Sequence, residues 1–106
     1  MEIINRHRKE LERACARYRV KALYVFGSVL SERFHPESDI DFLVAIDSND
    51  PLEYAELYFA LKFELERIFQ RKIDLLELKA LRNQRFKSII DKEKILVYGR
   101  HDKSLA

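Results

Sequence analysis

The chain has 106 residues, of which 47% are hydrophobic, so it can bury the core of one domain. This length excludes a catalytic domain joined to a separate substrate domain. The net charge of +2 is too small for a general nucleic-acid-binding protein, and no RRM or KH signature is present, so we expect no stable nucleic-acid binding. The charge is uneven, because residues 1–21 carry +4 and the remainder carries −2.

The sequence favours a cytoplasmic protein. No stretch approaches the roughly 20 apolar residues of a membrane span. The N-terminus is charged and lacks the apolar region of a signal peptide. Cys15 is the one cysteine, so no disulfide forms within the chain, which suits a reducing compartment.

The first half of the chain predicts a helix, a strand, a short helix and a loop. Apolar residues recur at helical spacing over residues 2–18, whose other faces are basic. Residues 22–26 are apolar throughout, which predicts a strand covered on both faces. A short helix is expected over 28–33, and a loop over 34–38, because proline disfavours helix at the residue before it.

A second strand over 39–46 and a long helix over 51–70 follow. Asp50 can cap this helix, with a proline at the first helical position and Glu53 completing a capping-box pattern. Five of the twelve aromatic residues lie in the helix. Phe59 and Phe63 lie partly off its core stripe, which indicates either a wide core face or a docking surface.

A third strand is predicted over 73–77, with Asp74 in an otherwise apolar run. Burying a lone carboxylate is costly, so this residue needs a partner. Two explanations are open: an ion pair with Arg71 or Lys72, or a place in a metal site with carboxylates of a neighbouring strand.

The last elements are a helix over 79–92, a segment over 95–98 that is a short strand or flanks the helix, and a polar tail over about 99–106. Four residues of the helix are expected to face inward: Leu81, Phe86, Ile89 and Ile90. No repeat or linker divides residues 1–106, so the prediction is a single domain.

Two aspartates at the start of the second strand are the strongest chemical signal. Asp39 and Asp41 are one residue apart, so in a strand they share a face. Adjacent carboxylates repel unless a cation lies between them, and such hard oxygen ligands favour Mg²⁺. Gly27 and Ser28 follow the first strand, where glycine permits close approach of a ligand and serine can contact an anion.

The pattern Gly27-Ser28, a ten-residue spacer and Asp39-Ile40-Asp41 resembles the nucleotidyltransferase superfamily built on the polymerase-beta palm. Within it, the spacing and short chain are similar to the minimal nucleotidyltransferase (MNT) antitoxins. The resemblance implies an α+β fold, with a small mixed sheet packed against helices. The chain departs from the family in lacking an Arg-Gly pair after the serine, and Arg33 is a candidate to replace its phosphate contact.

What the resemblance implies chemically is transfer of AMP from ATP. Asp39, Asp41 and Asp74 would hold two Mg²⁺ ions, because the family carries its third aspartate in this place. Asp74 would also accept the proton of the attacking hydroxyl. Gly27, Ser28 and Arg33 would bind the triphosphate, and Lys72 is a further candidate to neutralise charge.

The implied acceptor is a tyrosine of a HEPN-domain toxin. The expected docking surfaces are the aromatic side of helix 51–70 and the basic first helix, while the oligomeric state is left open. A rival interpretation is an antitoxin that keeps the fold but acts by binding alone, which the missing Arg-Gly pair favours and the three aspartates oppose. A third is a structural protein whose aspartates are incidental, which requires the motif and Asp74 to coincide by chance.

Overall fold

A four-stranded mixed sheet forms the centre of the computed structural model, which describes residues 1–32 and 34–100. The strands have the order β3-β2-β1-β4. Strand β1 is antiparallel to β2 and β4, whereas β2 and β3 are parallel. The predicted α+β fold is therefore confirmed. The strands are β1 (Val20–Phe26), β2 (Ile40–Ile46), β3 (Ile73–Glu77) and β4 (Ile95–Gly99).

Helices cover both faces of this sheet. The α-helices are α1 (Glu2–Arg6), α2 (Arg8–Arg17), α3 (Pro51–Phe69) and α4 (Gln84–Glu93). Two 3₁₀ turns, Gly27–Leu30 and Leu78–Ala80, follow β1 and β3. The first turn stands where a longer helix over 28–33 was predicted.

The sheet separates a larger core from a smaller one. On one face, the helices α1, α2 and α3 pack against alternate strand residues such as Leu23, Val25 and Phe42. On the other face, Tyr24 and Phe26 join a smaller cluster with residues of α4 and the second 3₁₀ turn. Strand β1 is thus covered on both faces, as predicted. Each fully buried leucine contributes about 1.5–3 kcal/mol relative to an exposed one.

The predicted helix 2–18 is divided at His7. This residue has φ −109° and ψ 20°, outside the helical region, and its ring packs edge-on against Phe69 at 5.3 Å between ring centroids. Arg8 Nη1 donates to the Val97 carbonyl at 2.8 Å. Contacts with distant parts of the chain therefore fix the turn between α1 and α2, and the helical periodicity could not show it.

The start of α3 confirms the predicted cap and corrects the capping box. Asp50 Oδ1 accepts a hydrogen bond from the Leu52 amide at 3.1 Å. The Glu53 carboxylate instead accepts from Ser48 Oγ at 2.7 Å and from Arg19 at 3.0 Å. The helix ends at Phe69, since Gln70 adopts a left-handed conformation with φ 52°.

The last helix starts later than predicted, and fewer of its residues are buried. Asn83 caps α4 by accepting from the amides of Arg85 and Phe86, so the helix begins at Gln84 rather than 79. Ile90 is buried and Leu81 packs against the smaller core. Phe86 and Ile89, both predicted to face inward, are 43% and 52% exposed.

The segment over 95–98 is a strand, because β4 pairs with β1 as its antiparallel neighbour. Gly99 belongs to this strand, whereas positions 101–106 of the predicted tail lie outside the described residues. In the described part of the chain, no helix is long and apolar enough to cross a membrane.

Candidate active site

Two carboxylates meet where β2 and β3 begin. In the parallel register of these strands, Asp41 lies directly beside Asp74. Asp41 alternates with Phe42, whose side chain enters the larger core, so the Asp41 carboxylate lies on the opposite face with Leu43. Asp39 precedes β2 by one residue. The strand register therefore brings Asp41 and Asp74 together, with Asp39 two residues before Asp41.

The environment of Asp41 opposes its negative charge. Partial burial is the largest cause that raises the pKa of its carboxyl, from 3.8 to about 6. The charge of Asp74 and a hydrogen bond with that residue raise the pKa further, followed by the charges of Asp39 and Glu93. The site thus concentrates negative charge that a cation would relieve.

Gly27 borders the Asp41 carboxylate so closely that no side chain fits. Its φ is +75°, and a Cβ atom at this position would lie 2.4 Å from Asp41 Oδ2. Glycine is therefore required here both by the backbone conformation and by the space that Asp41 occupies.

Ser28 lies beside the other aspartate of the pair. Its Oγ donates to the Asp39 carbonyl at 3.4 Å and joins the turn after β1 to the start of β2. The structure therefore places Gly27 and Ser28 next to different members of the Asp39–Asp41 pair. The phosphate contact predicted for Arg33 concerns a residue outside the described ones.

Asp74 is exposed, which corrects the expectation that it is buried. The two predicted ion-pair partners contact other groups. Lys72 Nζ lies 3.9 Å from Asp39 Oδ2, and Arg71 donates to the Ser38 carbonyl at 2.9 Å. Exposure leaves the Asp74 carboxylate accessible to molecules from solution.

The three carboxylates could hold a metal ion after a side-chain rearrangement. Across residues 1–32 and 34–100, no group of three His, Cys, Asp or Glu side chains is arranged to coordinate an ion as it stands. Asp41 and Asp74 are adjacent, but Asp39 contacts Lys72. The donor set of carboxylate oxygens fits a hard divalent cation, which would also relieve the repulsion at Asp41.

Asp41→Asn is expected to stabilise the metal-free protein above pH 6. The raised pKa means that the folded state binds more protons than the unfolded state between about pH 4 and 6, so stability falls as pH rises through this window. After discounting for solvent screening, we expect a gain of about 1 kcal/mol, or roughly 4–8 °C in Tm. Thermal unfolding with EDTA at a series of pH values measures this difference.

Asp47→Asn is the control for that measurement, since Asp47 is an exposed aspartate whose carboxylate lies 3.7 Å from Arg19. The difference between Asp41→Asn and wild type should disappear below about pH 4, where both states of the wild type are protonated. A constant difference across the whole range would contradict the electrostatic explanation.

Comparison with known proteins identifies the family. The model of the family described as Polymerase beta, Nucleotidyltransferase matches residues 9–103. The chain belongs to this nucleotidyltransferase family. Its matched region contains Gly27, Ser28 and all three aspartates, so the recognised motif and the observed carboxylate pair belong to one nucleotidyltransferase domain.

A relative of this nucleotidyltransferase is known in Methanocaldococcus jannaschii. The relative, MJ1379, is provisionally named a protein adenylyltransferase. The two sequences are 35% identical over 96 residues, which cover 91% of this chain and 92% of the relative. The similarity therefore extends over nearly all of this chain and of the relative.

Solved structures share the fold. One described as a minimal nucleotidyltransferase is 28% identical, with a TM-score of 0.65 and coverage of 89% of this chain and 92% of that one. A toxin–antitoxin complex with AMP-PNP gives 20% identity, a TM-score of 0.67 and coverage of 89% and 74%. The third structure is a tri-AMPylated HEPN toxin of Shewanella oneidensis in complex with MNT antitoxin. Its matched chain is 17% identical with a TM-score of 0.53, and the match covers 91% of this chain and 72% of that one.

The sequence gives no indication that Glu93 influences the site. Glu93, at the end of α4, adds to the charge that raises the pKa of Asp41. The two residues are far apart in the chain, and α4 packs on the face of the sheet that carries Asp41. Only the packing of α4 could reveal this contribution.

Proposed function

We propose that this nucleotidyltransferase transfers AMP from Mg²⁺-bound ATP to a tyrosine hydroxyl of a HEPN-type toxin and so acts as its antitoxin in the cytoplasm. The observation that carries the proposal is the alignment of Asp41 with Asp74 beside Gly27. The similarity to a protein provisionally named an adenylyltransferase and to toxin–antitoxin complexes supports the choice of reaction and partner.

Asp39 and Asp41 would hold one Mg²⁺ ion, and all three aspartates a second. When bound, the ions would neutralise charge on the phosphates. To bind the ions, Asp39 must break its ion pair with Lys72. The free energy lost is small because the Lys72 side chain is 69% exposed, and exposed ion pairs are weak.

Asp74 would accept the proton of the attacking hydroxyl. Its carboxylate is exposed, so an acceptor from another molecule can reach it. The hydroxyl oxygen forms a bond with the α-phosphorus while the bond to the pyrophosphate oxygen breaks, and pyrophosphate leaves. Ser28, in the turn beside Asp39, would hold the terminal phosphates, and Gly27 keeps the space around Asp41 open.

Lys72→Met is expected to tighten binding of Mn²⁺, a stand-in for Mg²⁺, about threefold to tenfold in the absence of nucleotide. The amine lies 3.9 Å from Asp39 Oδ2, where it occupies one ligand and repels the ion. Calorimetric titration measures the affinity, with Lys9→Met on α2 as the control that removes an equal charge. An equal affinity gain in both variants, or none in either, would refute the role of Lys72.

Incubation with ATP labelled at the α-phosphate, Mg²⁺ and the product of the neighbouring gene tests the function. Label on a tyrosine of that protein is the expected result, and no label on the partner would count against transfer. The second candidate is neutralisation by binding alone, favoured by the Lys72–Asp39 contact and the missing Arg-Gly pair. Equal suppression of toxicity by a triple aspartate variant would support this candidate.

A further inference from the structure

The carboxylates and helix α4 share one face of the sheet. Asp41 alternates along β2 with residues of the larger core and lies on the side of Leu43 and Ala45. Helix α4 contributes Ile90 to the smaller core on this side, whereas α3 packs on the opposite face. A molecule that offers a hydroxyl to Asp74 from this side of the sheet would therefore lie beside α4.

The C-terminal end of α4 lies at the end of the sheet that holds the carboxylates. Phe86, Ile89 and Glu93 have the spacing i, i+3 and i+7, so they lie along the same side of the helix. Ile95, two residues after Glu93, pairs with Val25, and the next residue of β1, Phe26, pairs with Asp41. Phe86 and Glu93 are about 10 Å apart along the helix axis.

This side of α4 is apolar and bordered by positive charge. Phe86 and Ile89 are 43% and 52% exposed, although both are large hydrophobic residues. Arg85 and Lys92 are also exposed. They lie four residues before and three residues after Ile89, so the three side chains share one side of the helix. Residues 78–94 contain six basic and two acidic side chains, a net charge of +4 in a chain whose total is +2. Such a surface fits an acidic protein segment with apolar side chains.

We propose that Arg85, Phe86, Ile89 and Lys92 form an acceptor-docking edge that binds an acidic, apolar-containing segment of the protein to be modified. This inference rests on the proposed function and adds the chemistry of the acceptor.

The exposed stripe of α3 is a separate apolar surface. Leu52, Phe59 and Phe63 are 71%, 52% and 64% exposed, and α3 packs on the sheet face opposite to Asp41. Tyr58 of this helix donates to the Leu75 carbonyl beside Asp74, and its ring lies 5.1 Å from that of Phe59, so α3 also reaches the β3 edge. Docking of a partner on α3 stays a prediction, and Phe63 serves below as the residue that distinguishes the two surfaces.

The test is fluorescence anisotropy at low ionic strength with three labelled probes: a random Glu–Tyr copolymer, a Lys–Tyr copolymer and a single-stranded RNA. The double variant R85E/K92E reverses two charges of the docking edge. The control K9E/R13E reverses two exposed charges of α2 on the other face. Ile89→Ser and Phe63→Ser form the corresponding apolar pair.

Preferential binding of the Glu–Tyr copolymer is expected, weakened about tenfold or more by R85E/K92E and less than about twofold by K9E/R13E. Ile89→Ser should weaken it, whereas Phe63→Ser should not. Equal effects of the two charge reversals, or a preference for RNA or for the Lys–Tyr copolymer, would overturn the proposal. Because binding is measured without transfer, a wild type that binds but transfers no label would contradict the proposed function and leave the docking edge supported.

Discussion

Asp41→Ala is expected to reduce transfer of labelled AMP by about a thousandfold or more while the protein remains folded. Asp41 is beside Asp74, and Asp39 lies one residue before the same strand, so its loss removes the central member of the proposed metal site. The fold should survive because the carboxylate is only half-buried and its charge opposes folding above pH 6. Transfer to the partner protein and thermal unfolding are measured on the same sample.

The pattern among the aspartate variants tests whether they act together. If Asp41 and Asp74 serve one site, the double alanine variant should be no less active than the worse of the two single variants. Asp91→Ala, which changes an aspartate of α4 that contacts Lys94, is the control and should retain activity. Substantial transfer by Asp41→Ala would contradict the assignment of this residue.

Gly27→Ala is expected to lower both nucleotide binding and transfer, the latter by about a hundredfold or more. The new Cβ would lie 2.4 Å from Asp41 Oδ2, so the carboxylate must move away from its place beside Asp74. The positive φ adds about 1–2 kcal/mol of backbone strain, which should also lower Tm. Steady-state assays measure the transfer rate, titration measures the nucleotide affinity, and thermal unfolding measures the Tm.

Gly99→Ala separates strain from displacement of Asp41. Gly99 has φ +81°, and a Cβ atom there would lie 1.9 Å from the Lys21 carbonyl. It pairs with Ala22 in β1, at the end of that strand away from Phe26 and Asp41. The variant should lose stability but bind nucleotide with wild-type affinity when folded. Loss of nucleotide affinity in both variants to the same extent would contradict the specific role of Gly27.

The predictions that agree best with the structure concern features set by neighbouring residues in the sequence. Strand β3 has the predicted bounds 73–77, and Asp50 caps α3 as expected, because alternation, composition and cap residues act within a few positions. The resemblance to the family also predicted that Asp74 comes from a strand next to the strand of Asp41. These predictions needed no knowledge of side-chain packing.

The incorrect predictions depended on distant residues. The turn at His7 depends on Phe69 and Val97, which no window of the sequence around His7 contains. Phe86 and Ile89 repeat with helical spacing but stay exposed, because Ile90 is the residue of α4 that the smaller core buries. The contact between Lys72 and Asp39 depends on side-chain conformation, which the sequence does not encode locally.

Calorimetric titration of Mn²⁺ in the presence of a non-hydrolysable ATP analogue tests most directly whether the three carboxylates form a metal–nucleotide site. The wild-type protein should bind Mn²⁺ more tightly with the analogue than without it. The double variant D41N/D74N, which keeps the shape of both side chains but removes their charge, should lose this binding. An unchanged affinity for Mn²⁺ in the double variant would contradict the account.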